Sequence, residues 1–322
     1  MRLYPLKLNA AFKDYLWGGT RLRDEFNKQT DIDPVAESWE LSCHHDGQSI
    51  ISNGEFSGKT LAQYIETVGK QVIGTKAPKD KDFPILIKFI DAKQSLSVQV
   101  HPDDKYALLH EGESGKTEMW YVMDATPDAT LIYGFTHEIS HQEFERRIKD
   151  NTLLEVCNQV PIKKGDVFFI EAGTLHAIGA GALIAEIQQS SNSTYRVYDY
   201  GRMGKDGKLR ELHIEKALAV TKLEPPTKKP EPIAKLTAFA DYDLTILAQC
   251  ELFNVSHFDL HGNCSLNAKK DSFHSILVLD GQIALTYGND SFTITKGESV
   301  FIPADMGEYI LNGTGEFILT TL

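Results

Sequence analysis

Apolar residues in this chain fall in short runs, punctuated by Gly, Asp, Asn and Pro. The pattern predicts strands over 83–90, 118–125, 129–135, 165–173 and 182–189. Further strands are predicted over 243–260, 275–288, 290–302 and 315–322. Helical spacing is confined to 61–73, 140–158 and 211–220, with Thr60 as N-cap of the first. Many short strands and few helices imply a mainly β protein built from sandwiches or barrels. KLEPPTKKPEPI carries Pro225, Pro226, Pro230 and Pro232, which excludes regular structure there. The chain therefore divides into residues 1–225, a linker at 226–234 and a second domain at 235–322. KDKDF, ending at Phe83, is expected to be a solvated loop.

A short internal repeat supports two related β domains. GDVFFIEAGTLH (165–176) and GESVFIPADMGE (297–308) both run Gly, acid, apolar strand and turn. The first copy ends on His176 and the second on Glu308.

Within the strands, polar residues stand out. In SLSVQVHPDD, alternate residues point the same way, so Gln99 and His101 share one face and Val98 and Val100 the other. Lys88 interrupts the apolar run ILIKFI, where a charge needs a reason. Alternation on an antiparallel sheet leaves it either a site role or solvent.

Composition narrows the function classes. The chain has 322 residues and a net charge of −12, which disfavours nucleic acid as a partner. No apolar run is long enough to cross a membrane as a helix, and the N-terminus lacks a signal-peptide core. The four cysteines have no C-x-x-C spacing and read as reduced thiols, consistent with a cytoplasmic location. Any anion must be bound by a local basic cluster. Nothing in the sequence specifies an oligomeric state.

The polar strand residues of the first domain are Gln99, His101, Glu118 and His176. The Gly-x5-Glu-Ala-Gly-x-x-His run at 165–176 resembles the second cupin motif, with Glu171 where Pro is usual. Gln99-x-His101 followed by Glu118 resembles the first, with Gln in place of the first His. The resemblance implies two jelly-roll cupin barrels with a few short helices, the first holding one divalent ion. Two imidazoles, a carboxylate and an amide oxygen suit Zn²⁺, and Fe²⁺, Mn²⁺ or Co²⁺ would also fit. The remaining histidines, including His44, His45, His110, His213 and His274, read as surface or packing residues. In the second domain, Glu308 and His274 fall where a His and a Glu ligand would be, so that domain reads as structural.

LSVQVHPDD, GKTEMWYV, HAIGAGALIAEIQQSSNSTYRVYDYGR, YLWGG (15–19) and AESWELS (36–42) together resemble type I mannose-6-phosphate isomerases of the short bacterial branch. That family interconverts mannose 6-phosphate and fructose 6-phosphate, so the resemblance implies a small sugar phosphate as the partner and zinc on Gln99, His101, Glu118 and His176. It places Arg196 on the family's active-site arginine and Glu186 on a nearby acidic position. Lys88, Ser97 and Lys116 match polar positions around the substrate, and Trp17 and Glu37 the outer pocket. The longer members carry Asn-His-Lys-Pro-Glu before the ligand glutamate, whereas this chain has ESGKTE.

Such an isomerase must move a proton between neighbouring carbons through an enediolate. A bound metal and a guanidinium such as Arg196 stabilise its charge. Glu186, Lys116 and an ion-bound hydroxide all remain open as proton carrier. Lys88, Lys116, Arg196 and Arg202, with Ser97, can supply the phosphate site. Two other readings use the same residues: an iron cupin oxygenase, and a non-catalytic sugar-binding bicupin.

Overall fold

In the computed structural model, which describes residues 2–78, 82–204 and 206–322, alternation along three central strands organises the molecule. Ile85–Ala92, Glu118–Ala125 and Ala182–Gln189 are neighbours in a six-stranded antiparallel sheet. Its order is Val167–Ile170, Glu118–Ala125, Ala182–Gln189, Ile85–Ala92, Glu37–Leu41 and Ala11–Lys13. One face carries Ile85, Ile87, Phe89, Met119, Tyr121, Ala185 and Ile187. The opposite face carries Ile90, Trp120, Val122 and Ile184. Both faces are apolar, so both must be covered.

The second set packs against a five-stranded sheet, giving the first domain its two layers. That sheet runs Tyr195–Tyr198, Val98–Val100, His176–Ile178, Thr130–Phe135 and Cys157–Pro161. The first set packs against a ten-stranded sheet formed largely by residues 237–321. Phe253, Phe273, Leu277, Phe301 and Ile318 supply the facing side chains. Lys88, interrupting ILIKFI, lies on the inner face with Ile90 and not in solvent, because the second domain covers the other side.

The N-terminus crosses between the layers. Leu6–Asn9 pairs with Ser299–Ile302, Leu6 opposite Phe301, and Ile50–Ile51 pairs with it from the other side. Residues grouped by sequence with 1–225 thus complete the sheet of the second domain. The linker region 226–234 is irregular, without helix or strand.

Five α-helices occur among the described residues. Leu61–Val68 starts at a reciprocal cap, Thr60 Oγ1 accepting from Gln63 N and Gln63 Oε1 from Thr60 N. The segment expected as one helix over 140–158 is instead His141–Lys149, a 3₁₀ turn at Leu153–Glu155, and the strand from Cys157. Asn151 adopts φ 60°, left-handed backbone that ends the helix. The 243–260 run is two strands around a Cys250–Phe253 turn, and 290–302 is two strands that turn at Gly297, whose φ is 87°. The Pro-Asp-Asp turn begins a helix, Asp104–His110, because the Asp103 carboxylate accepts from Tyr106 N at 2.8 Å. Residues 79–81 of KDKDF lie outside the described residues, and Phe83 is buried against Phe273. No helix among the described residues is long and apolar enough to cross a membrane.

Candidate metal centre and substrate cavity

Two rows of side chains, one from each sheet of the first domain, face a common space. In the five-stranded sheet, Arg196, Gln99 and His176 lie side by side in register. In the six-stranded sheet, Trp39, Lys88, Glu186 and Trp120 do the same, and Glu118 pairs with Gln188. Period-two alternation points each row inward.

At the centre, His101 Nε2 lies 3.1 Å from His176 Nε2. Glu118 Oε1 is 3.2 Å from His101 Nε2, and Glu118 Oε2 is 3.7 Å from His176 Nε2. All three residues are buried. The outer nitrogens are both committed to backbone carbonyls: His101 Nδ1 donates to Ser193 O at 2.8 Å and His176 Nδ1 to Thr174 O at 2.9 Å. Each neutral ring therefore turns an unprotonated Nε2 towards the other. Two lone pairs and a carboxylate face one another; Lys116 Nζ contacts one side of the group, at His101 Nε2 and Glu118 Oε1, and Glu118 Oε2 and His176 Nε2 face each other across the rest. Burial and then the Lys116 ammonium push His101 down to about 3, and burial also lowers His176, so neither ring is charged at neutral pH. Burial works to raise Glu118, but Lys116 and His101 outweigh it and hold its carboxyl well below the usual range. Glu118 Oε2 is buried without a hydrogen-bond donor. Gln99 completes the set, its amide 3.5 Å from His176 Nε2, and a half-turn of that amide presents its oxygen. This donor set fits a divalent ion.

Lys116 sits at the same point, Nζ 3.0 Å from Glu118 Oε1 and 3.2 Å from His101 Nε2. Beyond it opens a cavity of about 290 Å³. Trp17, Glu37, Lys88, Ser97, Gln99, Lys116, Glu118, Glu186 and Arg196 all line it, with His101 and His176 buried behind them. Trp17 reaches it because Gly18 and Gly19 follow: a Cβ on Gly18 would meet Ala36 Cα at 2.6 Å, and one on Gly19 the Asp91 carboxylate at 2.2 Å.

Lys88 Nζ lies between Glu186 Oε1, at 3.4 Å, and Glu37 Oε2, at 3.5 Å. Burial would lower Lys88, but Glu186 and Glu37 outweigh it and keep it charged. Burial and the neighbouring Glu118 charge push the Glu186 carboxyl up to about 8. Its Oε1 has no hydrogen-bond donor.

The sequence pattern does not single out the lining residues Tyr15, Asn192, Thr194 and Arg210, nor the apolar Ile90, Leu96, Trp120 and Ile178. The first three lie within the quoted YLWGG and SSNSTYR runs; Arg210 carries no local signal. Arg202 pairs with Asp199 and donates to Ser95 O at 2.7 Å, outside the cavity; Arg210, whose Nη1 lies 3.4 Å from the same Asp199 carboxylate, lines the cavity with Arg196. Burial and the Arg210 charge together lower Arg196 from its ordinary value. Both guanidiniums line the same cavity, with Arg196 Nη1 also donating to Glu211 O at 2.9 Å.

The second domain keeps no such centre among its described residues. His274 donates to or accepts from Tyr309 OH at 2.8 Å, and Glu308 is exposed.

Known proteins are similar to this chain over its whole length. The model of the phosphomannose isomerase type I catalytic domain matches residues 5–129, and that of the mannose-6-phosphate isomerase cupin domain residues 243–322. The chain is 39% identical to the probable mannose-6-phosphate isomerase GmuF of Bacillus subtilis, covering 98% of this chain and 99% of that one. It is 38% identical to mannose-6-phosphate isomerase ManA of the same organism, over the full length of both. The crystal structure of a mannose 6-phosphate isomerase from Bacillus subtilis superimposes with a TM-score of 0.91 at 35% identity, covering 99% of each chain.

Proposed function

The chain belongs to the type I phosphomannose isomerase family, and from that premise we propose that it interconverts mannose 6-phosphate and fructose 6-phosphate through an enediolate, using a divalent ion, zinc, held by Gln99, His101, Glu118 and His176. The observation that carries the metal dependence is the convergence of two imidazole Nε2 atoms 3.1 Å apart with Glu118, whose Oε2 has no hydrogen-bond donor. When bound, the ion supplies Lewis acidity toward the substrate oxygens.

The chain's own residues do the rest. Arg196 and Arg210 hold the phosphate, with Ser97 nearby, and fix which end of the sugar faces the metal centre. Trp17 and Trp120 form apolar walls that keep water from the reacting carbons. Lys116 adds positive charge where negative charge develops on the enediolate. Glu186 moves the proton: its carboxyl is pushed up to about 8, so it can hold or release one near neutral pH. Lys88 positions that carboxyl and Glu37 from between them.

The test is conversion of mannose 6-phosphate labelled with deuterium at C2, on zinc-replete protein, chelator-treated protein and Arg196→Ala. Turnover that disappears with chelator, returns with zinc and falls steeply in Arg196→Ala supports the reading, as does leakage of label to solvent. Folded, zinc-loaded protein without turnover refutes it. Label that stays fully on the sugar even after prolonged equilibration in water would favour a direct hydride shift over the enediolate. Oxygen uptake on iron-loaded protein would favour the oxygenase, and binding without turnover the sugar sensor.

A further inference from the structure

The segment between Glu186 and Arg196 has little backbone pairing of its own. Residues 190–194 lie outside regular structure, between the strands that end at Gln189 and begin at Tyr195. Yet this segment supplies Asn192 and Thr194 to the cavity and the Ser193 carbonyl to His101.

Glu113, at the front of the ESGKTE run, is what it is tied to. One carboxylate oxygen, Oε2, accepts from Ser191 Oγ at 3.1 Å, Asn192 N at 3.2 Å and Ser193 Oγ at 3.1 Å. The other, Oε1, faces His44 Nε2 at 3.3 Å. Asp46 assists from a second loop, accepting from Asn192 Nδ2 at 2.7 Å. Burial works to raise Glu113, but these donors and His44 outweigh it and hold the carboxyl ionised. Without Glu113, the Asn192 N–H and two hydroxyls lose their common acceptor.

His44 and His45 do not make this carboxylate a second ion site. Their rings stack at 4.2 Å and 29°, and His45 is exposed. His44 Nδ1 already accepts from Asp46 N at 3.1 Å, which leaves the proton on Nε2 towards Glu113.

We infer that Glu113 is a positioning residue: it anchors Ser191–Ser193 from outside the cavity and, through the Ser193 carbonyl, keeps His101 in the tautomer with its bare Nε2 towards the metal centre. The catalytic consequence rests on the proposed isomerase reading; the tautomer and ion affinity do not. The carboxylate touches neither the ion ligands nor the cavity, so its effect on His101 is transmitted by the Ser193 carbonyl.

The test compares wild type, Glu113→Ala and Glu113→Gln, with Glu316→Gln as a control destabilised elsewhere. Nitrogen-15 NMR of metal-free protein reads the protonated nitrogen of His101, and competition with a chromophoric chelator reads zinc affinity. Expected are loss of the fixed Nδ1–H signal and at least a tenfold weaker zinc affinity in Glu113→Ala, and an affinity within about threefold of wild type in Glu113→Gln, whose amide oxygen still accepts. If Glu113→Ala does not fold, Glu113→Asp carries the test: it keeps the charge, withdraws from the donors and should still lose affinity severalfold. Unchanged His101 signals and zinc affinity in whichever of the two folds would overturn the inference. A wild type that binds zinc but does not isomerise sinks the isomerase reading alone, and the His101 comparison still decides Glu113.

Discussion

Lys88 and Glu186 stand opposite one another on neighbouring strands, fully in register, with Nζ 3.4 Å from Oε1 and both side chains buried. Glu37 closes the group from the other side, its Oε2 also accepting from Trp39 Nε1 at 2.7 Å. A lone cation thus serves two carboxyls in a water-poor site. Removing it should be costly out of proportion to its size, because both carboxyls are left without a counter-charge. Lys88→Met is expected to lose about 3 kcal/mol in urea unfolding. Adding Glu186→Gln should recover part of that loss, and strictly additive effects would show that the two residues are not coupled.

Arg210 gives a kinetic prediction. A guanidinium that only holds phosphate contributes equally to ground and transition states. Arg210→Met should therefore raise KM for the sugar phosphate about tenfold, from a charge-assisted contact of ~1.5 kcal/mol, with kcat nearly unchanged. Competitive inhibition by inorganic phosphate should weaken in parallel. A fall in kcat alone would place Arg210 nearer the reacting carbons than the phosphate.

The domain junction should respond to acid. Glu316 Oε1 lies 2.9 Å from Lys164 Nζ of the first domain, and its Oε2 lies 3.4 Å from His257 Nε2. The His257 hydrogen bond, then Lys164, hold the Glu316 carboxyl down to about 2 despite partial burial. A depressed carboxyl stabilises the fold above its ordinary value of 4.5, and the gain fades as pH falls toward 2. The Glu316 side chain is 24% exposed, and solvent screening leaves roughly 1 kcal/mol of it. Urea midpoints of wild type and Glu316→Gln should differ at pH 6, draw together below pH 4.5 and converge only near pH 2. A gap that stays at its pH 6 size down to pH 2 would mean the ion pair is not its source.

The two domains should unfold together. One hydrophobic core holds Leu6, Ile87, Phe89, Tyr121, Phe273, Phe301 and Ile318, drawn from both sides of the linker. Leu6 is fully buried, so Leu6→Ala is expected to cost about 3 kcal/mol. Fluorescence and circular dichroism should then shift together in one transition. Two separated transitions would contradict a shared core.

Much of the site was legible because its information is local. Alternation in SLSVQVH places Gln99 and His101 on one face, and the strands 118–125 and 182–189 begin and end in the structure where their apolar pattern begins and ends. The helix at Asp104–His110 was missed because Pro-Asp-Asp reads equally well as a turn. Only the Asp103 cap on Tyr106 N separates the two.

The sequence by itself determined the mainly β class, the proline-rich division of the chain, and the residue types of the candidate ion set, since strand period and short motifs are properties of neighbours along the chain. Tertiary structure alone decided three things. Lys88 faces a cavity because a second domain covers the other side of its sheet. Leu6–Asn9 completes the distant sheet through a pairing with Ser299–Ile302. Arg210 and Glu113 reach the site from loops whose positions depend on packing between distant segments. Those contacts join residues tens to hundreds of positions apart, and a local pattern carries no record of which partner a face will meet.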